Sequence, residues 1–498
     1  MLLWRRFVGP TAAGSPLRVA QNSLFPLSSS LFNRLLDLGF FVVLLRALGP
    51  QGVGQYTGAI AYVGYFEVFV HFGLGTLLIR EVARDATQCG RYFWNSLVLR
   101  IALWAAFLPV LYLLVQPLAP TLGLTSASAA ALALFVLGIL PGQVSGSVSS
   151  VLIAFERNSI PAALAVFTNL VRVVLGLAVL GLGMPAELSI AGLAGVSVIV
   201  NLITMIALVW LTWRVVERPR WSFDVRFCWW MARESYPLML NSLLNTIFFR
   251  VDVVILQAFA GPTVVGYYST AYRFIDGLNV ISSNFVLAVF PIMSRQVFAP
   301  DKLRRIVSLS VRVLLTLAFP ICFGMFMFAE PLVLSVGGEE YLPHSAFALQ
   351  ALIWFLPLSF VNGLFQYVLI AVNRQKLVTV AFLIASSFNL VVNLMLIPYY
   401  GYVAAATTTV LSEAVLLIPF AWGVRTRVEL PPLFRLSWRP LLASLVMAMV
   451  LYPLLEAGLV LILLGAGVYA LALAALYALG AEERALARAA IAIVRRRR

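Results

Sequence analysis

Seven arginines stand inside or at the ends of long apolar stretches of this chain: Arg34, Arg46, Arg100, Arg172, Arg250, Arg273 and Arg312. Five carboxylates accompany them, Asp37, Glu67, Asp252, Asp276 and Glu413. A guanidinium keeps its proton, and at bilayer depth it costs about 2.5–3.5 kcal/mol, so it must face protein or water. Arg46 and Arg312 lie near the ends of their stretches and can reach a membrane surface. Arg34 precedes Pro50 by 16 residues and Arg250 precedes Pro262 by 12, which at a helical rise of 1.5 Å places them roughly 24 and 18 Å deep. Guanidinium groups so placed offer a bidentate grip on phosphate oxygens. Arg34 and Arg250 are therefore the first candidates for binding an anionic headgroup, with Arg273, Arg100 and Arg172 behind them. The alternative for each is a carboxylate partner that ties two helices together. Arg273 and Asp276, three residues apart, suit such an internal pair.

A second constellation is rich in oxygen. Asn389 and Asn393 stand four apart in one apolar stretch, Thr409 and Glu413 four apart in the next, and Asp252 lies two residues beyond Arg250. One carboxylate with neutral oxygens suits Na⁺, a hard cation, whereas a lone buried carboxylate, Glu67 or Glu413, suits H⁺. The competing reading is that the two asparagines only hydrogen-bond between helices. Tyr62, Tyr65, Phe66, Tyr267, Tyr268 and Tyr272 could stack on sugar rings, but aromatics near membrane surfaces usually form an interfacial belt. His71 reads as a packed or cavity-lining residue. Nothing resembles a nucleophile triad or a phosphate loop, and three cysteines with two histidines cannot build a metal cluster. No cofactor is expected, and no enzymatic activity.

The elements that carry these residues follow from composition. With 498 residues, 62% hydrophobic, 11% charged and a mean hydropathy of +0.97, the chain has too few polar residues to clothe a globular surface. Apolar runs of about 20 residues predict an all-α polytopic membrane protein of about fourteen helices. The expected order is a cytosolic N-terminal segment 1–21, helices 1–6 in 22–213 and a cytosolic linker 214–234. Helices 7–12 follow in 235–424, helices 13 and 14 in 425–479, and a basic cytosolic tail in 480–498. With the N-terminus inside, 28 of the 35 Lys and Arg residues fall on cytosolic segments, and the expected outer turns hold none. This positive-inside pattern accounts for the net charge of +15 without a nucleic-acid partner and adds attraction to anionic lipids.

The arrangement repeats. Gly49-Pro50-Gln51-Gly52-Val53-Gly54-Gln55-Tyr56 returns 212 positions later as Gly261-Pro262-Thr263-Val264-Val265-Gly266-Tyr267-Tyr268, each copy preceded by a run opening Asn-Ser. Pro ends a helix and Gly allows a tight reversal with positive φ, so two membrane helices can turn back in a few residues. Six helices per copy make both lobes run the same way, a parallel repeat about an axis normal to the membrane, with two bundles around a central cavity.

Arg46-Ala47-Leu48-Gly49-Pro50 through Gly54-Gln55-Tyr56, Phe72-Gly73-Leu74-Gly75 leading to Arg80-Glu81, and Asn389 to Gly401 continuing to Ser412-Glu413 resemble the polysaccharide-export (O-antigen-type) flippases of the multidrug/oligosaccharidyl-lipid/polysaccharide exporter superfamily. The resemblance covers helices 1–12. It implies translocation of an undecaprenyl-pyrophosphate-linked oligosaccharide from the cytosolic to the outer leaflet by alternating access. It also implies residence in a bacterial or archaeal cell membrane with both termini cytosolic, among membrane lipids, a polysaccharide polymerase and chain-length machinery. Asp252, Asn389, Asn393 and Thr409 are similar to the sodium site of the lipid II flippases in the superfamily, except that Asn393 stands where an acidic ligand is usual. The alternatives are a multidrug/cation antiporter of the same superfamily, which the deep arginines disfavour, and a membrane-embedded polymerase, ligase or glycosyltransferase. The latter needs a larger outer loop than 330–343, which has no basic residue.

Overall fold

A computed structural model describes residues 16–215, 221–429, 432–454, 458 and 461–476; the first fifteen residues and the basic tail 480–498 lie outside them. Among the described residues the chain is helical. Helix α1 spans 16–48 and α2 spans 50–84, separated at Gly49 (φ 62°) and interrupted at Phe72 and Gly73 (φ 48° and 71°). Then come α3 Cys89–Val115, α4 Ser126–Ala154, α5 Ser159–Gly181, α6 Ala186–Val215, α7 Val225–Ala260, α8 Pro262–Arg295 and α9 Pro300–Met327. A short helix, Ala329–Gly337, leads to α10, whose halves His344–Leu352 and Phe355–Ala371 meet at a 40° bend. Helices α11 (375–400) and α12 (402–428) part at Gly401 (φ 55°), and α13 Leu433–Leu451 and α14 Leu461–Ala475 complete the set. The fourteen expected helices are all present. Helix α1 begins six residues earlier than expected, and α2 is longer and broken where a continuous span was expected.

Both repeat turns use the same local physics. Gly49 and Gly261 hold φ of 62° and 83° with extended ψ, a backbone region open almost only to glycine. Pro50 and Pro262 then open α2 and α8 at the position where a missing N–H costs nothing.

The contacts divide the chain into two compact units, residues 1–266 and 267–498. The boundary falls after α7, whereas the sequence repeat places it before α7. The cause lies along α7 itself, which is held by the first unit at both ends. Near its N-terminal end, Met231 packs with Leu74 and Leu77, Glu234 accepts from Arg80 at 2.8 Å, and Leu238 covers Gly73. Near its C-terminal end, Gln257 donates to the Gly123 carbonyl at 2.6 Å. Ahead of α7, the side chain of Asn95 in α3 joins the Ser222 carbonyl and the Asp224 amide, and Asp224 caps α7.

Within the first unit α4 packs on α6, where Asn201 donates to the Gly138 carbonyl at 3.0 Å. Small residues let these backbones approach, the usual solution where lipid offers no hydrophobic drive between helices. An apolar cluster of Leu78, Val82, Phe93, Val148, Val151, Leu152, Ile160 and Leu208 gathers α2 to α6. In the second unit α13 and α14 pack on α9 and its end through Phe328, Met447, Leu451 and Leu473, and Tyr469 donates to the Thr316 carbonyl at 2.7 Å. Large apolar side chains such as Val174, Ile206, Ile418 and Leu463 are 63–81% exposed, which in water would be costly and in lipid is not.

Candidate functional site

The five arginine candidates have different surroundings. Arg34 on α1 and Arg250 on α7 have exposed side chains. Neither makes an ion pair among the described residues. A side chain at Gly64 would meet Arg250 Cδ at 3.6 Å, so the arginine stem runs along α2. The next turn of α2 carries Glu67, whose side chain is exposed. Gly64 and Glu67, three apart, thus share the face of α2 that α7 opposes.

Arg172 on α5 is half-buried and paired with Asp37 of α1. Asn169 completes the link, donating to Asp37 Oδ1 and Asn33 Oδ1 at 3.1 Å each and accepting from Arg172 Nε at 3.0 Å. This is the carboxylate-partner alternative, and the pair secures α1 to α5. Arg100 on α3 is 0% exposed and donates through Nη1 to the carbonyl and Oε1 of Gln143 in α4, at 3.2 and 2.8 Å. Enclosed in this way it is closed to a large headgroup. Arg273 on α8, in the second unit, is half-buried and has interaction partners.

The oxygen-rich candidates also divide between the units. Asp252, 2% exposed on α7, belongs to the first and accepts from the Val253 amide at 2.8 Å. Asn389, Asn393, Thr409 and Glu413 belong to the second, each at most 5% exposed. The two asparagines pair as their helical spacing predicts, whereas Thr409 and Glu413 do not. Asn393 donates to Asn389 at 2.9 Å, and Asn389 to Ser412 at 2.9 Å. Glu413 instead receives Asn362 of α10, whose amide nitrogen also meets the Glu413 carbonyl. Thr409 bonds Tyr268 of α8 at 3.2 Å. Oδ1 of both Asn362 and Asn393 is buried without a hydrogen-bond partner, leaving acceptors available beside a carboxylate. Asn362 escaped sequence reasoning, where the available signal was a lone asparagine in an apolar run, and Tyr268, read there as a possible sugar-stacking aromatic, instead bonds Thr409. No cluster of three or more His, Cys, Asp or Glu residues occurs among the described residues.

The aromatic candidates are mostly packing residues. Tyr62, Phe66 and Tyr268 are at most 6% exposed; Tyr62 donates to the Leu122 carbonyl, and Phe66 meets Phe107 edge-on. The Tyr267 and His344 rings meet in a tilted contact, centroids 4.8 Å apart.

The second glycine of each repeat turn has a reciprocal role. A Cβ on Gly54 would lie 1.6 Å from the Pro262 carbonyl oxygen, and one on Gly266 1.9 Å from that of Pro50. The two copies of the motif cross each other at backbone contact. Beneath the crossing Gln257, 0% exposed, lies against Gly58 and Gly123.

This fold is shared with solved transporters of two kinds. The lipid II flippase MurJ in an inward closed conformation superposes with a TM-score of 0.75 at 14% identity, covering 91% of this chain and 98% of that one. An inward-facing multidrug resistance MATE transporter gives 0.60 at 15%, covering 80% and 94%. The chain belongs to the polysaccharide biosynthesis protein family, whose model matches residues 19–297; the MatE model matches 237–395. Among curated proteins it is 26% identical over 308 residues to the succinoglycan biosynthesis transport protein ExoT of Rhizobium meliloti, spanning 60% of this chain and 58% of that protein. It is 23% identical over 437 residues to the probable low-salt glycan biosynthesis flippase Agl15 of Haloferax volcanii, spanning 87% and 89%.

Proposed function

We propose that this protein is a flippase that carries an undecaprenyl-pyrophosphate-linked oligosaccharide from the cytosolic to the outer leaflet of the cell membrane for polysaccharide export. The observation that carries the reading is the placement of Arg34 and Arg250. Both stand inside long apolar helices with exposed side chains and without an ion pair among the described residues. A charge in that position is expensive unless it serves an anionic cargo, and a planar fork suits pyrophosphate. Family membership and the glycan-export roles named for two relatives support the same class. A multidrug/cation antiporter would need exposed deep acids to dominate instead. The chain acts by alternating access of its two lobes, with both termini cytosolic, and delivers its cargo to a polymerase and chain-length machinery.

Coupling is assigned to the buried oxygens. Asn389, Asn393, Thr409 and Glu413 have the donor chemistry for Na⁺, and the partnerless oxygens of Asn362 and Asn393 fit that requirement; Asp252, in the first unit, is a separate candidate. Glu413 alone fits H⁺. The bound ion would supply only charge neutralisation, while the chain's own amides and hydroxyls would orient it.

The test is scrambling of a labelled lipid-linked oligosaccharide in proteoliposomes holding the full chain. Arg250→Ala is expected to abolish it while the protein remains folded, and Arg250→Lys to restore little, since an ammonium lacks the fork. Undiminished transport by Arg250→Ala would overturn the headgroup assignment.

A further inference from the structure

The break in α2 creates a second, separate place for negative charge. Phe72 and Gly73 adopt left-handed conformations, and the eleven-residue half-helix Leu74–Arg84 starts from Gly73 without a side-chain cap. The first-turn amides of a helix have no intrahelical acceptor, and its dipole makes that end positive. Here that end is inside the protein, because Leu74 is 0% exposed and Gly75 is buried.

Against this terminus stands Arg100. It is 0% exposed, its Nη1 is satisfied by Gln143, and its Nε and Nη2 have no hydrogen-bond partner. No ion pair to Arg100 exists among the described residues. Three polar atoms from three helices converge where Gly75 lacks a side chain. A Cβ there would lie 3.2 Å from His71 Nε2, 3.2 Å from Ser150 Oγ and 3.4 Å from Arg100 Nη2. Ser150 donates to the Gly146 carbonyl at 2.8 Å, a bond within one helix that a hydroxyl exchanges readily for a stronger acceptor.

An enclosed guanidinium with two idle nitrogens, Nε and Nη2, beside an uncapped helix end is a site of uncompensated positive charge. Burying it without a counter-charge is strongly unfavourable, and water would satisfy the hydrogen bonds but not the charge. We infer that a small monovalent anion, of the size of chloride or bromide, binds between Arg100, His71, Ser150 and the first turn at Gly75. It would fasten the two halves of α2 to α3 and α4. The enclosure selects against phosphate, sulfate and organic anions, so this site is distinct from the one assigned to the cargo headgroup.

The test uses the full chain in detergent, with thermal unfolding compared in sodium chloride, bromide, gluconate and sulfate at equal ionic strength. Chloride and bromide are expected to raise the midpoint by a few degrees over gluconate and sulfate, as an anion bound only by the folded state must. A bromide-soaked crystal should show anomalous density beside Arg100. Gly75→Ala, which fills the space with a methyl group, and Arg100→Gln should each abolish the halide shift, whereas Arg250→Ala should retain it. Equal midpoints of the unaltered protein in chloride and gluconate would overturn the proposal. So would a halide shift that survives Gly75→Ala, or bromide found only elsewhere.

Discussion

The two units solve the problem of polar groups in lipid by opposite means. In the first, buried or half-buried arginines meet partners across helices: Arg172 with Asp37 and Asn169, and Arg100 with Gln143. In the second, the buried carboxylate Glu413 meets the amide of Asn362, and nearby in sequence Thr409 bonds Tyr268 while Ser412 bonds Asn389, all neutral partners. Duplication therefore kept the turns and let the interiors diverge. A turn is specified by backbone geometry that only Gly and Pro supply, while a polar interior can be rebuilt residue by residue as long as each group finds a partner.

The largest expected effect comes from what the copies still share. Gly54→Ala or Gly266→Ala drives a methyl group into a carbonyl oxygen, at 1.6 or 1.9 Å, and the backbones must separate. Overpacking of this kind costs about 1–3 kcal/mol or more. A clear fall in the thermal midpoint together with loss of scrambling is expected, whereas Gly195→Ala, with nothing within 4 Å, should be neutral. If Gly54→Ala kept both wild-type stability and transport, the crossing would not be a constraint.

Next in size is the contrast between two arginines of the first unit. Arg250→Ala should abolish transport with little change in stability. Arg172→Ala should do the reverse, lowering stability by about 1 kcal/mol, since its half-exposed ion pair is partly screened. Similar transport losses in both variants would erase the distinction between exposed and paired guanidinium.

In the second unit, Glu413→Gln keeps a shape that can bond Asn362 but removes the charge. The expected result is a folded protein whose transport no longer responds to an imposed Na⁺ or pH gradient. An unchanged response would move coupling to Asp252 or Glu67. The smallest effect is a matter of side: a reporter inserted at Gly338 should be reached from outside and one at Asp85 from the cytosol, with transport little altered by either label.

The class of fold, the number of helices and the two Gly-Pro turns were legible in the sequence, because bilayer thickness demands runs of fixed length and only glycine tolerates φ near 62° and 83°. So was the existence of deep charge, since an arginine in an apolar run is visible by composition alone. What each charge does was decided by tertiary structure. Arg34, Arg100, Arg172 and Arg250 look alike as letters, yet Arg100 is enclosed, Arg172 is paired, and Arg34 and Arg250 are exposed. Likewise, helical spacing put Thr409 and Glu413 on one face, but neighbouring helices gave them Tyr268 and Asn362 as separate partners. The membership of α7 in the first unit also lay beyond the repeat, for it depends on contacts such as Arg80 with Glu234, 154 residues apart. Spacing along one helix sets which side chains share a face; only the packing of helices distant in sequence sets what that face meets, and with it whether a charge is paired, enclosed or exposed.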